Sequence, residues 1–347
     1  MAHKMGIIGY GGMAGWHHEN SKRIKDFKVV AAHDIDAGRL AAAKERGLKP
    51  YETLKDFLLD DSFDLVLVAT PNNFHKPMVI AALQAGKNVI CEKPATLSSA
   101  DFQDMIACAD KNKKLLVVHQ NRRWDEDFLM IKKLYDEGTI GPFFNVESRV
   151  MGSRGIPGDW RKIKAQGGGM MLDWGVHLID QILFMTKSPI VNVYCEYSFI
   201  FGEECEDGFK LLLTFEDGMR AHIEVDTNHF EVLPRWMAFG MTGSATVKDW
   251  SCEGTSTVPI VDEGDAAPIK AGSGVTKTMA PRSFASLDIQ TLAHIHTDVT
   301  DYYRNVMAVL DGKAEIIVKN AEVMRVLRVM EAAYQSAMEG VAVKTRL

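Results

Sequence analysis

The sequence predicts an α/β protein with an N-terminal doubly wound parallel sheet and a C-terminal α/β domain whose large open sheet is mostly antiparallel. Three observations predict this. The first 120 residues alternate short apolar runs with helix-period segments, a pattern typical of parallel strands buried on both faces. After about residue 123, strand pairs joined by turns replace that alternation. The length of 347 residues also exceeds the usual size of a single core. We therefore predict domains at 1–123 and 124–347.

Strands and helices alternate strictly in the predicted first domain. Apolar, β-branched runs indicate the strands, and apolar residues three or four positions apart indicate the helices. The strands are expected at 5–9, 28–34, 64–70, 87–92 and 114–119. The helices between them are expected at 13–27, 37–47, 75–86 and 98–112. Parallel strands connected in this way bind their ligands at their carboxyl ends.

An antiparallel meander and two closing helices are expected in the second domain. The predicted strands lie at 143–151, 191–200, 209–225 (two strands joined at Asp217-Gly218) and 236–250 (a further hairpin). The segment 251–290 is rich in Ser, Thr, Gly, Pro and charge, so we predict a long irregular excursion there. Helices are expected near 297–311 and 319–339, and the second is amphipathic.

Composition and charge exclude several functional classes. The formal net charge is −6, so nothing supports a nucleic-acid surface. No apolar run reaches the roughly 20 residues that span a bilayer. The N terminus enters a strand at once, which leaves no room for a signal peptide. The cysteines are scattered and odd in number, which indicates thiols in a reducing compartment: Cys91, Cys108, Cys195, Cys205 and Cys252. We expect a soluble, cytoplasmic protein.

Two histidine-rich motifs are the only obvious candidates for metal ligands. The pair HH at 17–18 falls on the first predicted helix, and HIH at 294–296 has i,i+2 spacing. HIH has no supporting acidic cluster beside it in the sequence. We therefore predict surface or packing roles for both, and no metal site.

The glycine-rich turn after the first strand is a candidate dinucleotide site. Residues 9–14, GYGGMA, give the pattern G-x-G-x-x-A between a strand and a helix. Gly9 permits a tight turn, Gly11 lets the backbone approach a pyrophosphate, and Ala14 lets helix and sheet pack closely. The N terminus of the following helix offers free N–H groups to phosphates. Asp34, ending the second strand, is placed to accept hydrogen bonds from an adenosine ribose; alternatively, it caps the next helix.

The surroundings of Asp34 favour NAD as the cofactor. The Asp34 carboxylate would repel the 2′-phosphate of NADP, and Ile35 offers that phosphate no hydrogen-bond donor. Arg39, one helical turn further on, could still reach a 2′-phosphate. The sequence therefore predicts NAD and also admits NADP.

Two segments carry candidate catalytic residues. Lys93, in CEKP at 91–94, follows the strand predicted at 87–92, although a lysine there could equally be a surface residue. In GGGMMLDWGVH, residues 167–177, Asp173 and His177 are four positions apart, so one helical turn would bring them into contact. A carboxylate beside an imidazole fixes its tautomer and raises its basicity. The alternative for His177 is a core histidine bonded to a neighbour.

Taken in order, these motifs resemble the glucose–fructose oxidoreductase / inositol dehydrogenase / MocA-like (Gfo/Idh/MocA) oxidoreductases. The similar segments are GIIGYGGMAGWH at the start, ATPNNFH at 69–75, AALQAGKNVICEKP at 81–94, GDWRKIKAQGGGMMLDWGVHLID at 158–180 and VLRVMEAAYQSAMEG at 326–340. The resemblance implies an N-terminal Rossmann domain with NAD(P) between the two domains. It also implies a homodimer or homotetramer formed through the C-terminal sheet.

The resemblance assigns roles to residues at matching positions. It implies a catalytic triad of Lys93, Asp173 and His177, which also contact the substrate. Together with the glycine motif, it places the cofactor against Gly9, Tyr10, Gly11, Gly12, Met13, Asp34, Ile35, Arg39, Thr70, Pro71, Asn72, His75, Glu92, Lys93, Trp160 and Arg161. The glycines at 167–169 are expected to let the backbone pass close to cofactor and substrate.

The implied reaction is hydride transfer between nicotinamide and a hydroxyl or keto carbon of a sugar, sugar derivative or cyclitol. His177 is expected to take the hydroxyl proton, Asp173 to orient His177, and Lys93 to polarise the developing carbonyl or tune the histidine. One alternative is a glycosidase of the same fold that recycles bound NAD. Another is a non-catalytic, cofactor-sensing regulator, which the intact triad disfavours.

Several side chains near these motifs admit both functional and packing roles. Arg122 and Arg123 could donate to substrate hydroxyls or an acidic substituent, or form a solvated pair that closes the domain junction. Trp124, Trp160 and Trp174 could stack on a sugar face, although core packing is the commoner role of tryptophan.

Overall fold

The computed structural model describes residues 3–274 and 276–347. It contains two large sheets, and each packs against its own hydrophobic core. One sheet is parallel and the other is mostly antiparallel. The predicted fold class is confirmed. Within the described ranges, no helix combines the length and the apolarity that crossing a membrane requires.

The first sheet contains six parallel strands, with helices in the connections. The strands are β1 (His3–Ile8), β2 (Phe27–His33), β3 (Lys49–Tyr51), β4 (Leu65–Val68), β5 (Asn88–Cys91) and β6 (Leu116–Val118). The helices are α1 (Gly12–Ser21), α2 (Ala37–Glu45), α3 (Leu54–Leu58), α4 (His75–Gln84) and α5 (Ser99–Asn112). The sequence pattern does not predict β3 or α3, because elements this short show no periodicity.

The strand order β3-β2-β1-β4-β5-β6 positions the site. Every neighbouring pair is parallel, and the order reverses between β1 and β4. A crevice opens outside the carboxyl ends of the strands at such a reversal. The loops that follow β1, β4 and β5 therefore meet at this edge.

Nine strands and two flanking helices build most of the second domain. The helices are α6 (Glu126–Glu137) and α7 (Val176–Met185). The strands of the sheet are β7 (Phe143–Met151), β8 (Ile190–Ser198), β9 (Gly208–Phe215), β10 (Arg220–Asp226), β11 (Trp236–Gly240), β12 (Gly243–Val247), β13 (Gly254–Pro259), β16 (Leu287–Thr291) and β17 (Val343–Lys344). Between β13 and β16, β14 (Ile269–Ala271) and β15 (Thr276–Thr278) form a separate ribbon.

The second sheet differs from the expected meander in two ways. Its order is β16-β13-β12-β11-β7-β10-β9-β8-β17, and β7 pairs parallel with β10. The prediction that 251–290 is irregular is wrong, because β13 and β16 pair with each other and extend the sheet. These outer strands are rich in Thr and Ser and partly exposed, so they lack the apolar alternation that reveals a buried strand.

The two C-terminal helices join the two cores. In α8 (Asp301–Leu310), Tyr302 and Tyr303 pack into the core of the first sheet. Along α9 (Asn320–Glu339), Leu327 packs into the first core, whereas Val326 and Met330 pack into the second. The chain thus returns to the first core after residue 300, and the division at residue 123 stays a prediction.

Candidate active site

The glycine-rich turn is shaped to receive a dinucleotide. Gly9 has φ +86°, and a Cβ there would lie 2.8 Å from the Ala69 carbonyl oxygen, so only glycine fits. Gly11 and Gly12 instead face open space. No side chain caps the N terminus of α1, so its first N–H groups are free for an anion. An open groove of about 710 Å³ lies over this turn.

Asp34 supports this turn from the end of β2. One carboxylate oxygen accepts the Tyr10 N–H at 2.7 Å, and the other accepts the Asp36 N–H at 2.9 Å. The capping alternative is wrong, because Asp36 rather than Asp34 accepts the Arg39 N–H at the start of α2. Arg39 lies 3.6 Å from Asp34 and lines the groove, and Ile35 is 96% exposed beside it.

The loop after β4 links the two domains. The Asn72 amide donates to the Gly167 carbonyl oxygen at 2.8 Å. The His75 ring nitrogens lie 2.8 Å from the Pro94 carbonyl oxygen and 3.0 Å from that of Thr70. Asn72 and His75 are buried in these contacts, and their predicted contact with the cofactor stays a prediction.

A buried network supports the loop that carries Lys93. Glu92 Oε1 accepts hydrogen bonds from His17 Nε2 at 2.6 Å and from His119 Nδ1 at 2.9 Å. Glu92 Oε2 accepts the Lys93 N–H at 3.0 Å, and Tyr303 donates its hydroxyl to His17 Nδ1. Burial alone would raise the pKa of Glu92, but His119 and His17 hold it well below its usual range. Glu92 is therefore a support for Lys93.

The histidines of this network are a part of the site that sequence reasoning missed. His17 is fully buried, so of the two roles predicted for HH the surface role is wrong. His18 is also buried, with its Nδ1 at 2.9 Å from the Tyr10 hydroxyl. These roles depend on contacts between residues far apart in the sequence. The one signal in the sequence is that His17 lies on the helix that follows the glycine motif.

Lys93, Asp173 and Arg161 form an ion-pair cluster where the two domains meet. Lys93 Nζ donates to Asp173 Oδ1 and to the Asp173 carbonyl oxygen, both at 2.9 Å. Arg161 Nε donates to Asp173 Oδ2 at 3.0 Å. Burial by itself raises the pKa of Asp173, but the charges of Lys93 and Arg161 hold it below its ordinary value. Asp173 is therefore a carboxylate at neutral pH.

The predicted pairing of Asp173 with His177 is not formed, because no hydrogen bond or ion pair joins the two side chains. Residues Met171–Gly175 form a π-helical turn, and His177 lies in the first turn of α7. Hydrogen bonds in a π turn run from i to i+5, so side chains four positions apart are no longer stacked. Asp173 therefore binds Lys93 and Arg161 instead of His177.

His177 is a buried, neutral imidazole. Its Nδ1 has no hydrogen-bond partner among the described residues. Burial lowers the pKa of His177 well below 6.5, and the nearby charges of Lys93 and Arg122 lower it further. Its ring packs edge-on against Trp174, with 6.1 Å between the ring centroids. The imidazole is thus unprotonated at neutral pH, which is the form that a general base requires.

A side chain on any of the glycines at 167–169 would collide with protein groups. A Cβ on Gly167 would lie 2.9 Å from the Asn72 Cβ, and one on Gly168 would lie 2.3 Å from the Arg161 carbonyl oxygen. Gly169 has φ +106°, and its Cβ would meet the Glu206 carboxylate. Glycine is therefore required at these positions by close packing, and the expected approach of their backbone to cofactor and substrate stays a prediction.

A cavity of about 380 Å³ lies beside Asp173 in the second domain. The Arg122 guanidinium lies 4.2 Å from the ring centroid of Trp174 and 5.5 Å from that of Trp250, which both line the cavity. The other lining residues include Met151, Gly152, Gly155, Pro157, Asp226 and Thr227. The sequence pointed to neither Trp250 nor Asp226, because both lie at strand ends without a motif.

Arg123 does not belong to this cavity, which corrects its predicted role. Its guanidinium donates to both Asp180 oxygens, at 2.7 and 2.8 Å, and to Glu322 Oε2 at 2.6 Å. The Arg123 side chain is 1% exposed, so it forms a buried ion-pair link between α7 and α9.

The other two tryptophans that the sequence offered for stacking have different surroundings. Trp124 packs against the first core, and the Trp160 ring lies under the Arg161 guanidinium at 4.8 Å.

Comparisons with known proteins cover both domains. Residues 3–120 match a family model described as an oxidoreductase family with an NAD-binding Rossmann fold. Residues 128–246 match the model of the GFO/IDH/MocA C-terminal domain.

Individual relatives resemble the chain over most of its length. The crystal structure of an NAD-binding protein from Listeria innocua is 41% identical, with a TM-score of 0.91, and the match covers 99% of this chain and 97% of that one. A myo-inositol 2-dehydrogenase of Thermotoga maritima is 32% identical over 58% of this chain and 60% of that protein. An NADP+-dependent scyllo-inositol 2-dehydrogenase of Bacillus subtilis is 26% identical over 97% of this chain and 94% of that protein.

Proposed function

Because the chain belongs to the GFO/IDH/MocA family of oxidoreductases, we propose that it is an NAD(P)-dependent dehydrogenase of a polyhydroxylated ring. Its membership confirms the resemblance drawn from the sequence motifs. The observation that carries the proposal is the ion pair between Lys93, after β5, and Asp173 beside the cavity. This pair and the neutral His177 lie at the carboxyl edge of the parallel sheet, where such folds bind their ligands.

The turn after β1 fits NAD. Gly11 and Gly12 would leave room for the pyrophosphate at the uncapped start of α1, and Gly9 permits the turn that leads to it. Asp34 and the exposed Ile35 would lie at the adenosine end. When bound, the nicotinamide accepts or donates a hydride. Arg39 lines the same groove, so both NAD and NADP belong in the assay.

In the proposed mechanism, His177 removes the proton from the substrate hydroxyl. It is unprotonated at neutral pH because burial and the charge of Lys93 depress its pKa. Lys93 donates a hydrogen bond to the same oxygen as it becomes a carbonyl, and Asp173 holds the ammonium in place at 2.9 Å. Arg161 holds Asp173 in turn. Acid–base assistance of this kind contributes roughly 10²–10⁴ to the rate.

The proposed substrate is a sugar, sugar derivative or cyclitol. Trp174 and Trp250 give the cavity aromatic walls, and Arg122, Asp226 and Thr227 supply donors and acceptors for several hydroxyl groups. A flat apolar wall with convergent polar groups suits a ring that carries hydroxyls on its edge. Relatives named as inositol 2-dehydrogenases support cyclitols as the first compounds to test.

Turnover by the wild type and by Lys93→Met tests this function. We expect the wild type to reduce NAD or NADP with one class of ring substrate. The absorbance of the reduced nicotinamide measures this reaction. Lys93→Met should lose this turnover and still bind the cofactor, because Lys93 contacts the reacting oxygen and not the glycine turn. Lys76→Met is the matched control, since Lys76 pairs with Asp101 and Asp104 on the protein surface.

Two outcomes would contradict the proposed dehydrogenase. Tight cofactor binding without any net absorbance change would favour internal recycling of the cofactor, and aryl glycosides would then be assayed. Full activity in Lys93→Met would remove Lys93 from the chemistry.

We also propose that the second sheet mediates a homodimer, or a tetramer of dimers. Helices α6, α7 and α9 cover one face of this sheet. Its other face carries apolar side chains on separate strands: Leu212 on β9 is 46% exposed, Ile289 on β16 is 49% exposed, and Phe239 on β11 is half-buried. Charged residues of β7 and β10, among them Arg149 and Glu224, lie between Phe239 and Leu212. An open sheet face of this kind can pack against a second copy.

Replacing Leu212 with glutamate should weaken the proposed dimer. A charge in the middle of the packed face would lose its hydration without gaining a partner. Sedimentation of the wild type should give at least twice the chain mass of 38.6 kDa, and the variant should shift toward the monomer. Leu59→Glu is the control, because Leu59 is 67% exposed on the first domain. A wild type that sediments as a monomer would refute the dimer.

A further inference from the structure

A cluster of side chains that could bind a metal ion lies outside the proposed active site. Glu126, Cys252 and His294 bring one ligand atom each to within 4.8 Å of the others. Glu126 Oε2 is 3.0 Å from His294 Nε2, and His296 Nδ1 is 3.9 Å from Glu126 Oε1. None of these residues lines the cavity beside Asp173.

Three separate parts of the chain hold this cluster together. Glu126 opens α6, Cys252 lies in the turn after β12, and the histidines lie in the extended segment before α8. That segment is anchored on both sides of His294. The Leu292 N–H donates to the Gly254 carbonyl oxygen at 2.9 Å, and the Thr297 N–H donates to Glu126 Oε1 at 3.0 Å.

The backbone of Cys252 is unusual. Its φ is +62°, a left-handed conformation that favours glycine and is costly for most other residues. The Cys252 side chain is nonetheless largely buried beside Glu126. Its sulfur lies 3.7 Å from the Trp250 carbonyl oxygen, at the edge of the second core.

Three consecutive acidic residues lie near the sulfur, and only one of them faces the histidines. Asp125, Glu126 and Asp127 lie close to Cys252. Asp125 is paired with Arg122 and Asp127 with Arg235, whereas Glu126 faces the histidines. Among the described residues, Glu126 is thus the carboxylate of the three that faces no arginine, and the arrangement offers a thiol, an imidazole and this carboxylate.

We propose that Glu126, Cys252 and His294 bind a structural zinc ion, with His296 or water as the fourth ligand. Zinc takes sulfur, nitrogen and oxygen ligands at about 2.0–2.3 Å in a tetrahedron, so its ligand atoms lie about 3.5 Å apart. The observed separations need only small side-chain movements to reach this. Binding would release the thiol proton, and the metal would fasten the segment before α8 to α6.

The other candidate cluster, His17, Glu92 and His119, suits a metal less well. Its ligand atoms already donate to and accept from one another at 2.6 and 2.9 Å. All three residues are buried, so an ion has no evident path to them. His294 is 41% exposed, which leaves the proposed zinc site open to solvent.

Metal titration of the full-length protein tests the proposal. After chelation, we expect one Zn²⁺ per chain to bind, and Co²⁺ in its place to show a thiolate-to-metal charge-transfer absorption. Cys252→Ser should abolish that absorption, and His294→Ala should weaken zinc binding at least tenfold. Cys108→Ser is the matched control, because Cys108 lies on α5 in the first domain.

Cys252→Gly separates metal binding from folding, because glycine accepts the left-handed backbone and removes the ligand. Zinc should raise the unfolding temperature of the wild type and leave that of Cys252→Gly unchanged. No stoichiometric zinc binding, or binding that survives Cys252→Ser and His294→Ala alike, would overturn the proposal. Neither result bears on the dehydrogenase, which is assayed separately.

Discussion

Replacing His177 with asparagine is expected to lower kcat for alcohol oxidation by roughly 10²–10⁴. Asparagine keeps a polar side chain on α7 but cannot take up the hydroxyl proton. Cofactor affinity should change little, because His177 lies on the second domain while the glycine turn lies on the first. Steady-state kinetics on the substrate found in the panel, with cofactor binding measured separately, would check both parts.

The pH profile of the wild type should carry the signature of His177. Its pKa is well below 6.5, so the base stays unprotonated as the pH falls through 6.5. The acidic limb of kcat/KM for oxidation should therefore lie below pH 6.5. Removing the charge of Lys93 takes away one cause of the depression, so the pKa of His177, followed by NMR titration, should be higher in Lys93→Met than in the wild type.

His222→Asn is the matched control for His177. Burial also lowers the pKa of His222, but this residue lies on β10 with its side chain on the outer face of the sheet. Its substitution should leave kcat and the pH profile unchanged. A His177→Asn variant with nearly wild-type kcat, or an acidic limb above pH 6.5, would remove His177 as the base.

Replacing Arg123 with methionine should destabilise the protein by about 3–5 kcal/mol. The variant would leave the buried Asp180 carboxylate without the guanidinium that it contacts at 2.7 and 2.8 Å. Burial already raises the pKa of Asp180, and losing Arg123 would raise it further. A raised pKa in the folded state means that stability is lost as the pH rises through it, so the defect should shrink at low pH. Denaturant unfolding at two pH values measures both effects.

The double variant Arg123→Met with Asp180→Leu tests the cause of this loss. With both partners apolar, no buried charge is left unpaired, and most of the lost stability should return. Glu322 keeps its contact with Lys187 at 3.1 Å in that variant. If the double variant is as unstable as the single one, the loss comes from packing against Phe184 and not from the charge.

The sequence by itself predicts the parallel sheet, the contiguous motifs and the family. Apolar runs separated by helix-period segments predict the parallel sheet, because their periodicity lies in neighbouring residues. The glycine turn at 9–14 and Lys93 after β5 are predictable for the same reason, since each motif and its element are contiguous. The family follows from the order and spacing of such motifs, and the matched family models cover both domains.

Contacts between distant segments depended on the tertiary structure. Spacing alone predicts that Asp173 touches His177, but a π-helical turn and the charges of Lys93 and Arg161 redirect the carboxylate. From the sequence, Arg123 is a candidate substrate-binding residue, yet its hydrogen-bond partners lie on α7 and α9. Likewise, HIH at 294–296 has no acid beside it in sequence, whereas folding brings Glu126 to His294. Side-chain partners are set by packing across the whole chain, and no local pattern records that packing.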